Sequence, residues 1–185
     1  MPSSDTIERL ANALRPPSEE SDEAAEAAVA LLLKPSGDDL RIFFVKRVEN
    51  PTDPWSGQMA FPGGKRDPQD QDLKQTVTRE TLEETGINLH YNCRFLGALK
   101  PMRSTQRPEM RVLPFIIVLE HEPSIDLNEE LEWYIWISAE ELVQHKGRAK
   151  LDFGAVPAFS IGDSVIWGLT YRILEKFFHI LGGTS

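Results

Sequence analysis

The chain has 185 residues, enough for one well-buried core and short for two. Hydrophobic residues at 41% and charged residues at 26% describe an ordinary globular protein. A net charge of −9 argues against a surface that coats nucleic acid, and the single cysteine, Cys93, excludes an intramolecular disulfide or a cysteine zinc site.

The apolar runs Ala27 to Leu33 and Val112 to Leu119 fall far below the roughly 18 residues of a membrane span. The N-terminus lacks the basic start and apolar stretch of a signal peptide. The expectation is therefore a cytoplasmic protein without a membrane or nucleic-acid partner. A small anionic ligand, held by a few local cations around a metal, stays open.

In chain order, Asp5 to Leu14 reads as a short amphipathic helix, with Ile7, Leu10, Ala11 and Leu14 on one side. Arg15 to Asp22 reads as a Pro- and Ser-rich acidic linker, leaving that helix to pack separately or on a partner subunit as a homodimer contact. Ala27 to Lys34 and Leu40 to Arg47 are strand-length apolar runs around a Pro-Ser-Gly-Asp-Asp turn, a hairpin pattern. A Pro- and Asp-rich loop, Val48 to Gly57, leads to the apolar Met59-Ala-Phe61 and then Pro62-Gly63-Gly64.

Asp72 to Thr85 has helical periodicity and stops at Gly86. Arg94 to Lys100, Val112 to Glu120 and Tyr134 to Ile137 read as strands. Ser138, with Glu141 three residues on, opens a short helix in a capping-box pattern. Residues 147–159 fit neither period well. Asp163 or Ser164 is expected to cap a last helix running to about Leu181 and closed by Gly182-Gly183. Strands mixed with about three helices predict a compact α/β or α+β sandwich.

The chemistry concentrates in Arg79-Glu80-Thr81-Leu82-Glu83-Glu84-Thr85-Gly86. Its carboxylates sit at i, i+3 and i+4, on one side of a helix, where like charges repel by a few tenths of a kcal/mol per pair. With Leu73 and Val77 marking the inward stripe, Glu80 and Glu84 fall on that stripe, Glu83 flanks it and Leu82 lies opposite. Inward carboxylates need a cation or a wet cleft. A solvated acidic face with i,i+4 ion pairs, Arg79 to Glu83 among them, is the alternative. The preceding Gly63-Gly64, which lets backbone come close to a ligand, favours a phosphate and Mg²⁺ site.

Gly64 to Ile87 resembles the Nudix box: Gly, five residues, Glu, seven residues, then Arg-Glu-U-x-Glu-Glu-x-Gly-U with U apolar. Arg79, Glu80, Glu83, Glu84, Gly86 and Ile87 match, and Thr81 takes the first U position. Asp70 stands where the first Glu is expected, with eight residues rather than seven before Arg79, and Asp72 is an alternative for its role. Phe61-Pro62-Gly63-Gly64 is similar to the family's lead-in, and Asn128 to Trp136 to its late acidic segment.

The resemblance implies an α/β/α Nudix sandwich with a mixed central sheet over residues 23–185, preceded by a helix and linker over 1–22. It also implies hydrolysis of a diphosphate joining a nucleoside to another group, using Mg²⁺ or Mn²⁺. Glu83 and Glu84 would be the main metal ligands, with Glu80 a further ligand or general base and the Gly64 carbonyl completing the set. Arg79 would orient the glutamates. A base from a later loop would come from Glu129, Glu130 or Glu132, with Glu130 and Glu132 preferred. Asp53 to Pro68 and Ile166 to Arg172 resemble the coenzyme A pyrophosphatase branch, although Asp53 stands where that branch carries Arg. CoA or a CoA-like compound is the favoured substrate, a nucleotide sugar or ADP-ribose the alternative, and a non-catalytic Nudix-fold binding module a reading of another class.

Arg103, Arg107 and Arg111, in one connection between two strands, are candidate phosphate contacts. Arg47, at a strand end, is another. Trp55 could stack on a base or pin its loop, and Trp167 lies among the core-facing residues of its helix.

Overall fold

The computed structural model describes residues 4–16 and 25–182. Of the linker expected over 15–22, residues 17–22 lie outside the described residues, as does Gly183. Helix α1 (Ser4–Ala13) precedes the antiparallel hairpin of β1 (Ala27–Ser36) and β2 (Asp39–Arg47). Short strands β3 (Met59–Ala60) and β4 (Gly63–Lys65) lead into helix α2 (Leu73–Thr85). Next come β5 (Cys93–Ala98), β6 (Met102–Arg103), β7 (Arg111–Leu119), β8 (Leu131–Ser138) and α3 (Ala139–Gln144). The chain closes with β9 (Lys146–Leu151), β10 (Gly154–Ile161), β11 (Ser164–Trp167) and α4 (Gly168–Leu181).

The main sheet orders β3-β2-β1-β7-β5, with β4 on β1, β6 on β7 and β8 on β2. It is mixed, because β1 runs parallel to β7 and antiparallel to β2. Parallel strands covered on both faces need apolar residues at consecutive positions rather than alternate ones, and Ala27 to Leu33 supplies them. Ala28, Ala30 and Leu32 pack with Leu73 and Val77 of α2, while Leu31 and Leu33 face the opposite core with α1, α3 and α4. The result is the expected α/β/α sandwich.

Helix α2 forms where its caps predict. The Asp72 side chain accepts from the Gln75 backbone N–H at 2.7 Å, and Gly86 ends the helix with φ 73°. Ser138 likewise caps α3 through the Glu141 N–H.

Two expectations are corrected. The last helix begins at Gly168, not at Asp163 or Ser164. Gly162 and Asp163 instead form the two-residue turn between Ile161 and Ser164, which pair across β10 and β11, and Gly162 takes the positive φ of 56° that this turn requires. The stretch that fitted neither period is a three-stranded sheet, β11-β10-β9. The apolar side of α1, left open above for a partner subunit, is covered by its own chain: Leu10 and Leu14 are buried in the core shared with Phe177 and Leu96.

Replacing Leu10 by Ala should therefore cost about 2–4 kcal/mol of unfolding free energy, the range for a buried leucine. Urea denaturation checks this. A loss below about 1 kcal/mol would show α1 to be an appendage rather than part of the core.

Candidate active site

The site grows out of one tight passage. Strand β4 pairs with the start of β1, placing Gly63 beside Val29 and Gly64 beside Ala28. Gly63 has φ 146°, and a Cβ there would sit 2.2 Å from the Ala28 carbonyl oxygen. A Cβ on Gly64 would stand 2.6 Å from the Glu80 carboxyl carbon. Glycine at both positions lets the backbone lie directly against the acidic side of α2.

Glu84 is 4% exposed, and one oxygen accepts from the Gly63 N–H at 2.9 Å. The nearest cation, Arg47 Nη1, is 3.9 Å from the other oxygen. Burial pushes the Glu84 carboxyl up to about 8, with Glu80 and Glu130 adding repulsion and the Gly63 N–H and Arg47 opposing. Burial also raises Glu80, against the pull of Arg79. Glu83 is more exposed and Leu82 faces outward, as the helical phase predicts.

Arg79 organises the acids. Its Nη1 donates to Glu80 at 2.8 Å and to Glu83 at 3.2 Å. Its Nε and Nη2 grip the two oxygens of Asp70 at 3.1 and 2.8 Å, and Nη2 also reaches the Lys65 carbonyl. Asp70 is buried, accepts further bonds from the Thr76 hydroxyl and the Asp67 N–H, and is held by Arg79 well below the usual carboxylate range. Asp70 therefore takes the position facing Arg79 despite the extra residue. Asp72 is committed to capping the helix, which corrects the alternative that it could replace Asp70.

A pocket of about 300 Å³ opens against this helix. Gly64, Glu80, Glu84, Glu130, Arg47 and Trp55 line it, so the structure brings these expected residues together. A register shift between Lys46 and Arg47 leaves Glu132 as the extra residue of β8. Glu132 is exposed there and does not line the pocket; Glu130 is within 4.0 Å of Arg47. Arg107 lies over the Trp55 ring at 5.6 Å, at the pocket margin. Arg103 and Arg111 line a separate depression. Trp167 packs on Phe153 and is not part of the pocket. Cys93 donates to the Leu89 carbonyl, and burial raises its thiol, consistent with a packing residue.

Sequence reasoning missed three groups. Asp53 lines the pocket, accepts from Arg47 Nε at 2.8 Å and caps the Trp55 N–H at 3.0 Å. The Asp-Pro-Trp pattern of a side chain capping the N–H two residues on was the available signal. Lys65 follows Gly64 directly. An apolar wall of Val29, Phe61, Met110, Val112, Leu169 and Ile173 comes from β1, β7, two neighbouring loop residues and α4 together.

Sandwich and acidic helix together define a class, and comparison with known proteins identifies it: a NUDIX domain model matches residues 24–159, and the chain belongs to the Nudix family. The mouse protein named mitochondrial coenzyme A diphosphatase NUDT8 is 31% identical over 138 residues, covering 68% of this chain and 63% of its own. The uncharacterized Nudix hydrolase NudL of Yersinia enterocolitica is 39% identical over 136 residues, covering 65% and 64%. The chain thus spans less than two thirds of these relatives. Among solved structures, a C. elegans Ap4A hydrolase binary complex aligns with TM-score 0.59 at 18% identity, covering 86% of this chain and 98% of that one. The M. smegmatis Nudix hydrolase RenU aligns at 0.61 and 13%, covering 88% of each. Both show the shared fold.

Nudix hydrolases use divalent metal ions. Among the described residues no three acidic, His or Cys side chains close around one point, since Arg79 holds Glu80 and Glu83 and Gly63 holds Glu84. The donor chemistry still fits such an ion. Asp53, Glu80, Glu84 and Glu130 line the pocket against Arg47 and Lys65, so four acids face two cations. The most buried of them is the one whose charge is least compensated.

Between about 4.5 and 8 the folded metal-free protein holds the Glu84 proton that the unfolded chain has released, so stability falls as pH rises through that window. Metal-free protein should lose on the order of 10 °C in Tm across it, and Glu84→Gln should flatten the profile. An unchanged slope in the variant would contradict the assignment. Asp70 acts in the opposite sense, its contribution being lost as pH falls below the ordinary carboxylate range.

Proposed function

We propose that this chain is a divalent-metal-dependent pyrophosphohydrolase that cleaves the diphosphate of a nucleoside diphosphate linked to another group, with CoA or a CoA-like compound as substrate. The carrying observation is the buried Glu84 carboxylate, facing a pocket that is acidic on one side and apolar on the other. The name of the mouse relative supports the choice of substrate.

In this reading Glu80, Glu83, Glu84 and the Gly64 carbonyl hold Mg²⁺ or Mn²⁺, hard cations that favour oxygen ligands. A metal held there would supply charge neutralisation for the diphosphate and a lowered pKa for a water nucleophile. Glu80 or Glu130 takes the proton of that water, both being on the pocket wall. Arg79 keeps its two bonds to Asp70 when Glu80 and Glu83 turn away, so the acids are released without leaving a bare guanidinium. Arg47, fixed by Asp53, places one positive charge beside Glu84 on the pocket wall. Trp55 and Arg107 offer an aromatic and cationic surface to the nucleoside.

Incubation with CoA and Mg²⁺ or Mn²⁺ should release 3′,5′-ADP and 4′-phosphopantetheine, detected by chromatography. Glu83→Gln should lower kcat by about 100-fold or more while KM stays within a few-fold, because its ligand role acts on the reacting centre. Turnover of ADP-ribose or a nucleotide sugar without CoA cleavage would move the assignment to those substrates. No turnover with any diphosphate, or an unimpaired Glu83→Gln variant, would leave a binding module instead.

A further inference from the structure

Strands β6 and β7 form a short ribbon whose two sides differ. Met110 and Val112 face the pocket. Arg103 and Arg111 are direct cross-strand partners, so their side chains leave the ribbon on one side. Like charges directly opposite each other destabilise a strand pair. Among the described residues no ion pair relieves either arginine; Arg103 donates only to the Pro108 carbonyl at 3.1 Å. The two line a depression of about 440 Å³ together with Arg15, Lys100 and Pro101. Arg15 is fixed there by its backbone, which exchanges two hydrogen bonds with Ala98 at 2.9 and 3.2 Å. Four cations thus share one concavity of a chain whose net charge is −9.

Arg103 is exposed and Arg111 half-buried, and no carboxylate among the described residues is ion-paired with either. An anion has the chemistry to offset their repulsion: guanidinium groups offer paired donors that match phosphate oxygens. The ribbon also continues into the pocket, because its tip carries Arg107 over Trp55. We propose that Arg15, Lys100, Arg103 and Arg111 form a second anion site, separate from the acidic pocket, that binds a phosphate dianion. Its source is a phosphomonoester remote from the scissile diphosphate of the substrate, or a free phosphate acting through the ribbon. The first source rests on the function proposed above; the site itself does not.

Two measurements test this. Inorganic phosphate is titrated into metal-free protein in EDTA at constant ionic strength, with Tm as readout. Wild type should gain about 2 °C or more, the gain should vanish in Arg103→Gln/Arg111→Gln, and Arg103→Lys/Arg111→Lys should keep most of it. Without phosphate the Gln variant should be no less stable than wild type, which separates lost binding from misfolding. The second measurement compares KM for CoA and for dephospho-CoA, which differ by one phosphomonoester. A rise of about tenfold for CoA alone in the Gln variant assigns the site to the substrate. A phosphate-dependent Tm gain that needs the arginines, with both KM values unchanged, assigns it to a free anion. Equal Tm gains in wild type and Gln variant, or no gain together with no selective KM change, would overturn the proposal. The Tm arm needs no turnover, so its outcome is independent of whether the chain hydrolyses CoA.

Discussion

Burial of the Glu84 carboxylate against strand β4 is the constraint on which the rest of the site depends. A helix turned so that a glutamate enters the sheet interface places a carboxyl where little water reaches it, and the Gly63 N–H with Arg47 at 3.9 Å does not keep it ionised at neutral pH. Below about pH 8 the metal-free fold meets that cost by keeping the Glu84 proton, and in the proposed function a cation at the pocket takes its place. Gly63 and Gly64 follow from the same demand, since any side chain there would separate the backbone from the acids.

Around that carboxylate the other charges divide into fixed and releasable pairs. Asp70 and Arg79 are the fixed pair: the aspartate is buried, doubly bonded to the guanidinium, and further held by Thr76 and Asp67. Glu80 and Glu83 share the remaining Nη1 of the same guanidinium and, in the proposed function, are the partners that turn away. Arg47 repeats the arrangement on the opposite wall, firmly bonded to Asp53 and more loosely to Glu84 and Glu130. Two arginines, each anchored by an aspartate, therefore contact the glutamates from opposite walls.

The helix carrying the acids was legible because its signals are local. Asp72 and Gly86 mark its ends, and the phase from Leu73 and Val77 correctly turns Glu84 inward and Leu82 outward. The hairpin of β1 and β2 was legible for the same reason. The extra residue before Arg79 hid the role of Asp70, since only the folded turn shows that Asp70 rather than Asp72 meets the guanidinium. The sheet of β9 to β11 was obscured because β9 and the first half of β10 are largely exposed and carry weak alternation. Gly-Asp-Ser, equally suited to a helix start and to a tight turn, then became a hairpin. The arginines of the connection looked equivalent, but pairing across a short ribbon sends Arg103 and Arg111 to a separate depression, while Arg107 lies over Trp55.

The central claim is that the inward acids exist for a divalent cation. A crystal structure of the protein soaked with Mn²⁺, recorded at a wavelength where manganese scatters anomalously, tests it most directly. The account predicts an anomalous peak about 2.0–2.3 Å from carboxylate oxygens that include Glu84, with Glu80 and Glu83 turned from Arg79 and Arg79 still paired to Asp70. No peak at this pocket, or a peak elsewhere while Glu80 and Glu83 remain on Arg79, would contradict it.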